Sequence, residues 1–273
     1  LFNNLVCAGI FIINRSLMDY IPNEFSDIVN DIFPAALKSG HNLYAYNSSE
    51  FVKDMGSPER IHEVEFSIKD GILPRRNLRR KQRAIFLDRD GVINEEVDHL
   101  LDVKDFKLIS GSLDAVKKLN NSDYLVIVVT NQPAVAKGFC DISDIERIHM
   151  HMETVFGKAG AKFDSIFYCP CHPEKGFPGE NKKYKVDCNF RKPKTGMLEI
   201  AKSFFNIDYS KSFIIGDSTR DILTGNNANV RTILVKTGYG GKDNIYDVVP
   251  DYVENNLFDA VNNVVFRNLN DNN

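Results

Sequence analysis

Short apolar runs alternate with helical patterns between residues 84 and 235, and this alternation limits the fold more than any other feature. Strands that are apolar throughout, with helices between them, are typical of a parallel sheet covered on both faces. The sequence therefore predicts an α/β domain with such a sheet, with Ser143 capping its second helix. The predicted strands are Ala84–Leu87, Tyr124–Val129, Ser165–Tyr168, Ser212–Ile215 and Arg231–Val235, and the predicted helices are Gly111–Asn120, Ser143–Phe156, Thr195–Phe205 and Arg220–Asn227.

Composition narrows the class of protein. The chain has 273 residues, of which 43% are hydrophobic and 26% charged, as in a globular protein with one large or two modest domains. A net charge of −3 argues against nucleic acid or a membrane as the main partner. The apolar stretch Leu5–Ile13 is too short to span a bilayer and lacks a basic leader. With five cysteines, an odd number, we expect a reduced, cytoplasmic protein.

Two carboxylates follow the first predicted strand of the sheet, in Asp88-Arg89-Asp90-Gly91. Residues two apart in extended chain point the same way, so both can face one pocket at the strand's carboxyl end, where open α/β sheets bind ligands. Adjacent carboxylates are costly to ionise together, and Mg²⁺ would relieve this cost. Asp88 could then attack phosphorus and Asp90 serve as general acid and base. The competing interpretation is a plain Asp-rich turn.

Polar residues also follow other predicted strands. Thr130-Asn131-Gln132 comes after the second strand, where the Thr130 hydroxyl could donate to a phosphoryl oxygen and Asn131 could contact the substrate. Before the third helix, Lys192 supplies the fixed cation that a phosphoryl group needs, and Arg191 a bidentate phosphate contact.

Gly216-Asp217-Ser218-Thr219-Arg220-Asp221 follows the fourth predicted strand. Asp217 is a further candidate magnesium ligand, and Asp221 could orient its neighbours. Each motif alone also fits a helix cap or a surface turn. Their shared position at strand ends favours one phosphate-handling site.

Together, the four motifs resemble the haloacid dehalogenase-like (HAD-like) phosphatases, over roughly two-thirds of the chain. The resemblance implies a Rossmann-like, cap-less phosphatase that requires Mg²⁺. It assigns catalysis to Asp88, Asp90 and Lys192, substrate binding to Thr130, Asn131, Gln132 and Arg191, and magnesium binding to Asp88, Asp90 and Asp217.

Within these phosphatases, Phe86 to Asn94, Val128 to Gln132, Tyr168-Cys169-Pro170 and Arg191 to Lys194 are most similar to the D-glycero-D-manno-heptose 1,7-bisphosphate 7-phosphatases. That likeness implies removal of the 7-phosphate during synthesis of activated heptose. Histidinol phosphate or another small phosphomonoester is the alternative substrate. The alternative of another class is a catalytically silent assembly module. Ser218 stands where heptose phosphatases often have lysine, which bears on substrate identity.

A cysteine cluster gives a second candidate metal site. Cys169, Cys171, His172 and Cys188 have metal-ligand spacing. The related phosphatases have Cys-x-His and then Cys-x-Cys, so the resemblance implies structural Zn²⁺. Phe190 replaces the last of those cysteines, which leaves His172 or water as the fourth ligand. Reduced thiols of a decayed site are the competing interpretation.

The first part of the chain resembles another family. Ala8-Gly9-Ile10-Phe11 and Lys53 to Arg60 are similar to the last third of a sugar-phosphate nucleotidyltransferase domain, in which Asp54 would correspond to a metal-binding aspartate. Because that family's Gly-rich nucleotide loop is missing, we expect no transferase activity. We predict strands at 6–13 and 43–46 and a helix capped by Ser57.

The predicted organisation has four parts. These are a small partial α/β segment over residues 1–70, a basic linker over 71–83, the phosphatase domain over 84–266 and a disordered tail over 267–273. The basic run from Pro74 to Arg83 is interpreted as a solvated linker rather than a nucleic-acid patch. The expected ligand is a small phosphorylated sugar, and the oligomeric state is open.

Overall fold

A computed structural model describes residues 7–46, 48 and 50–267 of the chain. Its centre is one six-stranded, wholly parallel sheet in the order β3-β2-β1-β4-β5-β6. The strands are β1 (Arg83–Leu87), β2 (Tyr124–Asn131), β3 (Ser165–Cys169), β4 (Phe213–Gly216), β5 (Arg231–Val235) and β6 (Tyr252–Glu254). The predicted α/β fold and its first five strands are confirmed, and β6 was not predicted.

Helices connect the strands and flank them. Those before the sheet are α1 (Phe33–Lys38), α2 (Pro58–Lys69) and α3 (Ile72–Arg75). Those of the sheet domain are α4 (Ser112–Asn120), α5 (Ala134–Lys137), α6 (Ile142–Lys158), α7 (Gly196–Phe205), α8 (Thr219–Ala228) and α9 (Leu257–Asp259), which continues as a π-helix over Ala260–Val265. Short 3₁₀ turns lie at Arg15–Tyr20, Val103–Asp105, Lys182–Tyr184 and Tyr209–Lys211, and a π-helical turn lies at Ile28–Ile32.

The sheet separates two apolar cores, because successive strand residues point to opposite faces. Ile85 and Leu87 of β1 belong to the core beneath α4, α6 and the C-terminal helix. Ala84 and Phe86 belong to the other core, beneath α7 and α8. Because helices cover both faces of the sheet, a ligand can reach it at the ends of the strands.

Helix α6 begins one residue earlier than predicted, and its cap is Asp141 rather than Ser143. Asp141 and Asp144 form a reciprocal capping box, in which each side chain accepts from the other's backbone N–H. The predicted Ser143 cap is wrong, because Asp141 is followed three residues later by a second carboxylate, and this pair caps the helix.

The described residues before β1 form helices and turns and no strand. The predicted strands at 6–13 and 43–46 are therefore absent where the structure describes them; position 6 lies outside that part. Leu17, Ile32 and Ala36 form a small separate cluster. The predicted Ser57 cap of α2 is confirmed, since its hydroxyl accepts from the Arg60 N–H.

The predicted linker packs partly against the sheet domain. Gln82 is buried, its N–H donates to the Asn206 carbonyl at 3.0 Å, and its carbonyl accepts from the Asp208 N–H at 2.8 Å. Arg76 pairs with the buried Asp164 at 3.0 Å. Of the predicted tail, residues 268–273 lie outside the described part. Nowhere in the described chain is there a helix long and apolar enough to cross a bilayer.

Candidate active site

The carboxyl ends of β2, β1 and β4, which are neighbours at the middle of the sheet, meet at one cavity of about 200 Å³. The predicted residues that line it are Asp88, Asp90, Thr130, Asn131, Gln132, Arg191, Lys192 and Asp217. Residues as far apart in sequence as 88 and 217 are therefore brought together, as the positions of their motifs at strand ends predicted.

Lys192 is the central cation of the cavity. Its ammonium Nζ lies 2.8 Å from Oδ2 of Asp88 and 2.5 Å from Oδ1 of Asp221. Burial alone would lower the pKa of Lys192, but the two carboxylates together raise it. The side chain therefore stays protonated while 2% exposed, and its charge is fixed beside Asp88.

Asn131 holds the backbone that carries Lys192. Its amide group donates to the Lys192 carbonyl at 3.1 Å and accepts from the Lys192 N–H at 3.0 Å. These two hydrogen bonds use one N–H and the oxygen of the amide, and they position the backbone of Lys192.

Two glycines make room for Asp217. An added Cβ at Gly91 would lie 2.1 Å from Oδ2 of Asp217, and one at Gly238 would lie 2.0 Å from the same atom. Both glycines also have positive φ, which disfavours other residues. The same Oδ2 accepts from the Tyr239 N–H at 2.7 Å, so the loop after β5 completes this side of the site.

The donor set beside Lys192 fits a hard divalent cation. Oxygens of Asp88, Asp217 and Asp221 all lie within 4.8 Å of one another, and carboxylates are preferred Mg²⁺ ligands. Burial raises the pKa of Asp217, and the charges of Asp221 and Asp88 raise it further. Burial also raises the pKa of Asp88 despite Lys192. A cation there would offset this accumulated negative charge.

Asp90 is held differently from the other acids. Its carboxylate accepts from the Arg89 guanidinium at 2.9 to 3.1 Å, from Asn94 at 2.9 Å and from Gln132 at 2.9 Å. Burial would raise the pKa of Asp90, but Arg89 and the two amides bring it below its ordinary value. Among the described acids, the cluster whose oxygens lie within 4.8 Å of one another consists of Asp88, Asp217 and Asp221 and does not include Asp90.

Arg89 and His149 support Asp90 from behind, a contact that the sequence patterns did not predict. Arg89 is fully buried, and its Nη1 lies 3.2 Å from Nε2 of His149. Burial and the Arg89 charge lower the pKa of His149 to about 3, so the ring is neutral and accepts this hydrogen bond. One signal was present, since His149 lies within the apolar stripe formed by Ile145, Ile148, Met152 and Phe156.

Three cationic side chains besides Lys192 also line the cavity. They belong to Lys137, Arg191 and Arg220. Among the described residues none of the three forms an ion pair with a carboxylate, whereas Lys192 forms two. Burial lowers the pKa of Arg191, and the nearby Arg220 charge lowers it further. Two adjacent guanidinium groups without a carboxylate are suited to an anion.

A segment with two acidic residues contributes to the same lining. Glu96, Asp98 and His99 line the cavity there. Burial, then the charges of Asp90 and Asp88, raise the pKa of Glu96 to about 7. These side chains can accept hydrogen bonds from hydroxyl groups.

The cysteine cluster lies beside the cavity, with a composition that differs from the predicted four ligands. Sulfurs of Cys169, Cys171 and Cys188 lie within 4.8 Å of one another. His172 is outside that group and lines the cavity instead; its Nδ1 accepts from the Glu174 N–H at 3.2 Å.

Comparisons with known proteins agree with this geometry. Residues 189–260 match the family model described as HAD-hydrolase-like. The D-glycero-alpha-D-manno-heptose-1,7-bisphosphate 7-phosphatase of Burkholderia mallei is 38% identical over 155 residues, 57% of this chain and 80% of that protein. The D-glycero-beta-D-manno-heptose-1,7-bisphosphate 7-phosphatase of Vibrio cholerae is 40% identical over 156 residues, 57% and 82% of the two chains.

A solved structure is similar over nearly its whole length. The D,D-heptose 1,7-bisphosphate phosphatase from B. bronchiseptica, complexed with magnesium and phosphate, superposes with a TM-score of 0.60 at 29% identity. The match covers 68% of this chain and 99% of that one. The partial nucleotidyltransferase resemblance of residues 1–70 is not tested by these matches and stays a prediction.

Proposed function

This chain belongs to the HAD-like phosphatases, in the family of the heptose-1,7-bisphosphate 7-phosphatases, and from that premise we propose that it hydrolyses a sugar phosphate through an aspartyl-phosphate. The observation that carries the proposal is the contact of Asp88 with Lys192, 2.8 Å apart at the floor of the cavity. A carboxylate beside a fixed ammonium group is arranged to receive a phosphoryl group whose charge the ammonium offsets.

In the first half of the proposed reaction, Asp88 attacks phosphorus and Asp90 protonates the leaving oxygen. In the second half, Asp90 removes a proton from the water that attacks the aspartyl-phosphate. The Arg89 pair favours the carboxylate form of Asp90, which suits the second half. The first half needs Asp90 in its protonated form, which the Arg89 pair disfavours.

Other side chains bind and position the phosphoryl group. The Thr130 hydroxyl accepts from the Gln132 amide at 2.9 Å, which leaves its own hydrogen to donate to a phosphoryl oxygen. Gln132 also holds Asp90, at 2.9 Å. We assign Gln132 and Asn131 mainly to positioning, and Thr130, Lys192 and Arg191 to contacts with the phosphoryl group.

The acidic cluster supplies the proposed magnesium site. Asp88 and Asp217, with Asp221 adjacent, are the side chains that would hold the ion, and Asp90 would remain the acid and base. When bound, Mg²⁺ offsets the charge that the carboxylates and the phosphoryl group share. Zinc at the thiols was implied by the resemblance alone, and the described cluster offers three sulfur ligands where structural zinc takes four.

We propose that the substrate is D-glycero-D-manno-heptose 1,7-bisphosphate, cleaved at the 7-phosphate. Two further cations support a second anionic group on the substrate: Arg220 and Lys137 line the cavity in addition to Arg191, and neither has a carboxylate partner among the described residues. The acidic segment that includes Glu96 and Asp98 suits the hydroxyl groups between two phosphates. A cytoplasmic location remains the prediction from composition.

Phosphate release from a panel of substrates tests the proposal. With Mg²⁺ we expect the heptose 1,7-bisphosphate to be cleaved best, histidinol phosphate poorly, and both reactions to stop with a chelator. Asp88→Asn should reduce turnover by about 10⁴-fold or more, as does loss of a covalent nucleophile elsewhere. The exposed Asp187→Asn is the matched control.

Two outcomes would contradict parts of the proposal. Preference for histidinol phosphate would overturn the substrate while leaving the reaction. A folded, magnesium-loaded protein that is inactive throughout the panel would favour the silent assembly module.

A further inference from the structure

Two thiols beside the active site are in direct contact. Sγ of Cys169, at the end of β3, lies 3.2 Å from Sγ of Cys188 in the loop before α7. Cys169 is fully buried and Cys188 is partly exposed. Cys171 completes the group, with all three sulfurs within 4.8 Å of one another.

This arrangement does not fit a structural zinc ion. Structural Zn²⁺ is bound by four protein ligands, and the described cluster supplies three, the sulfurs of Cys169, Cys171 and Cys188. The loop residue two beyond Cys188 is Phe190, which has no ligand atom. His172 does not join the cluster, because its ring lines the neighbouring cavity.

We propose that Cys169 and Cys188 form a reversible disulfide, a modification site next to the catalytic loop. The oxidant is a peroxide, which reaches Cys188 first because Cys169 is buried. The Cys188 thiol and the peroxide give a sulfenic acid and water or an alcohol. The Cys169 thiol then attacks that sulfur, forming the S–S bond and releasing water. A thiol reductant reverses the reaction by exchange.

The bond would join two segments that already serve the active site. The carbonyl of Cys169 accepts from the Gln132 N–H at 2.7 Å, and the carbonyl of Cys188 accepts from the Arg191 N–H at 3.3 Å. Its formation therefore ties the end of β3 to the loop that carries Arg191 and Lys192.

Cys171 has a separate contact with that loop. Its carbonyl accepts from the Arg191 guanidinium at 3.1 Å. We assign Cys171 as the bystander thiol, because the 3.2 Å contact joins the other two sulfurs.

Thiol mapping on the purified full chain tests the proposal. The chain is treated with hydrogen peroxide, unfolded, alkylated and digested with trypsin. We expect peptides 163–175 and 186–191 to be linked, with the loss of two hydrogen atoms in mass, and to separate after dithiothreitol. Cys171→Ser should keep the link, and Cys188→Ser should abolish it.

Three results would overturn the inference. The first is stoichiometric zinc in the untreated protein, with Cys169 and Cys188 protected from peroxide. The second is a link that uses Cys171, which its serine variant would remove. The third is wild-type protein whose Cys169 and Cys188 are still alkylated after peroxide. The wild-type measurement needs no variant to fold, and it does not depend on the phosphatase substrate.

Discussion

His149 is a neutral, buried histidine in contact with Arg89. It is 5% exposed and accepts from Arg89, which in turn holds Asp90. Burial and the Arg89 charge lower its pKa in the folded chain to about 3, against about 6.5 when unfolded. Between these values the unfolded chain binds more protons, so this residue's contribution to stability falls as the pH falls.

We predict that His149→Gln removes this acid sensitivity while keeping an acceptor for Arg89. From pH 7 to pH 5 the wild type should lose roughly 2 kcal/mol more unfolding free energy than the variant does. Urea unfolding at both pH values measures the difference. The exposed His62→Gln is the control and should behave like the wild type. Equal losses in wild type and His149→Gln would contradict the prediction.

Sequence patterns located the site residues better than they described their contacts. Asp88, Thr130, Lys192 and Asp217 could be placed at one cavity because strand ends are visible in a sequence and parallel strands meet at one edge. The pairing of Asp90 with Arg89 could not be predicted in this way, because it depends on side-chain orientation within a turn. The amide of Asn131 likewise faces Lys192 across 61 residues, and no local pattern encodes such a contact.

Helix α8 lies unusually close to the sheet at Gly225. A Cβ there would lie 2.4 Å from Cγ2 of Thr232 on β5 and 2.5 Å from Cγ2 of Ile214 on β4. This contact fixes the helix whose first turn contains Asp221. Gly225 is therefore a packing residue, despite the poor helix propensity of glycine.

We predict that Gly225→Ala destabilises the fold by about 1–3 kcal/mol, because overpacking outweighs the gain in helix propensity. Asn226→Ala, at the next, exposed position of α8, should be neutral or stabilising by a few tenths of a kcal/mol. Denaturant midpoints of the two variants give the comparison. A stabilised Gly225→Ala would show that the helix can move away from the sheet at little cost.

Elements with strong periodicity were predictable, and short ones were not. The strands β1 to β5 are apolar runs between helical patterns, whereas β6 has three residues, Tyr252–Glu254, of which none is buried. The predicted strands at 6–13 and 43–46 had suitable apolar content, but the described residues there have no partner strand to pair with. Strand propensity alone is insufficient without a partner in the fold.

At the scale of the whole molecule, the acidic cluster should make stability depend on magnesium. We predict that saturating Mg²⁺ raises the melting temperature by about 5 °C or more, because the ion binds the folded site and not the unfolded chain. Asp217→Asn should abolish this shift and raise the metal-free melting temperature by relieving repulsion. The control is Asp98→Asn, because Asp98 lines the same cavity but lies outside the acidic cluster; this variant should keep the shift. An unchanged shift in Asp217→Asn would exclude Asp217 as a ligand.

The contacts of Arg76 and Gln82 bear on the domain boundary, and we propose that the folded phosphatase begins near residue 76. A chain of residues 76–273 should keep phosphatase activity within about twofold of the full chain. Removal of residues 1–82 should cost about 2 kcal/mol or more, because it deletes the buried Gln82 and its hydrogen bonds. Activity and thermal unfolding of both truncations measure this. Equal stability of the two would place the boundary at β1.

The strand order has a consequence for when this protein becomes competent during folding. β1 lies between β2 and β4, so the chain completes one wing of the sheet, through β3, before it returns to build the other. Asp88 follows β1, whereas Lys192 and Asp217 come after β3 in the sequence. Neither half alone contains all three of the side chains that the proposed phosphate site needs. The pairing of β4 with β1 brings Asp217 to Asp88, so we expect a nascent chain stalled after β3, which lacks Lys192 and Asp217, to be inactive.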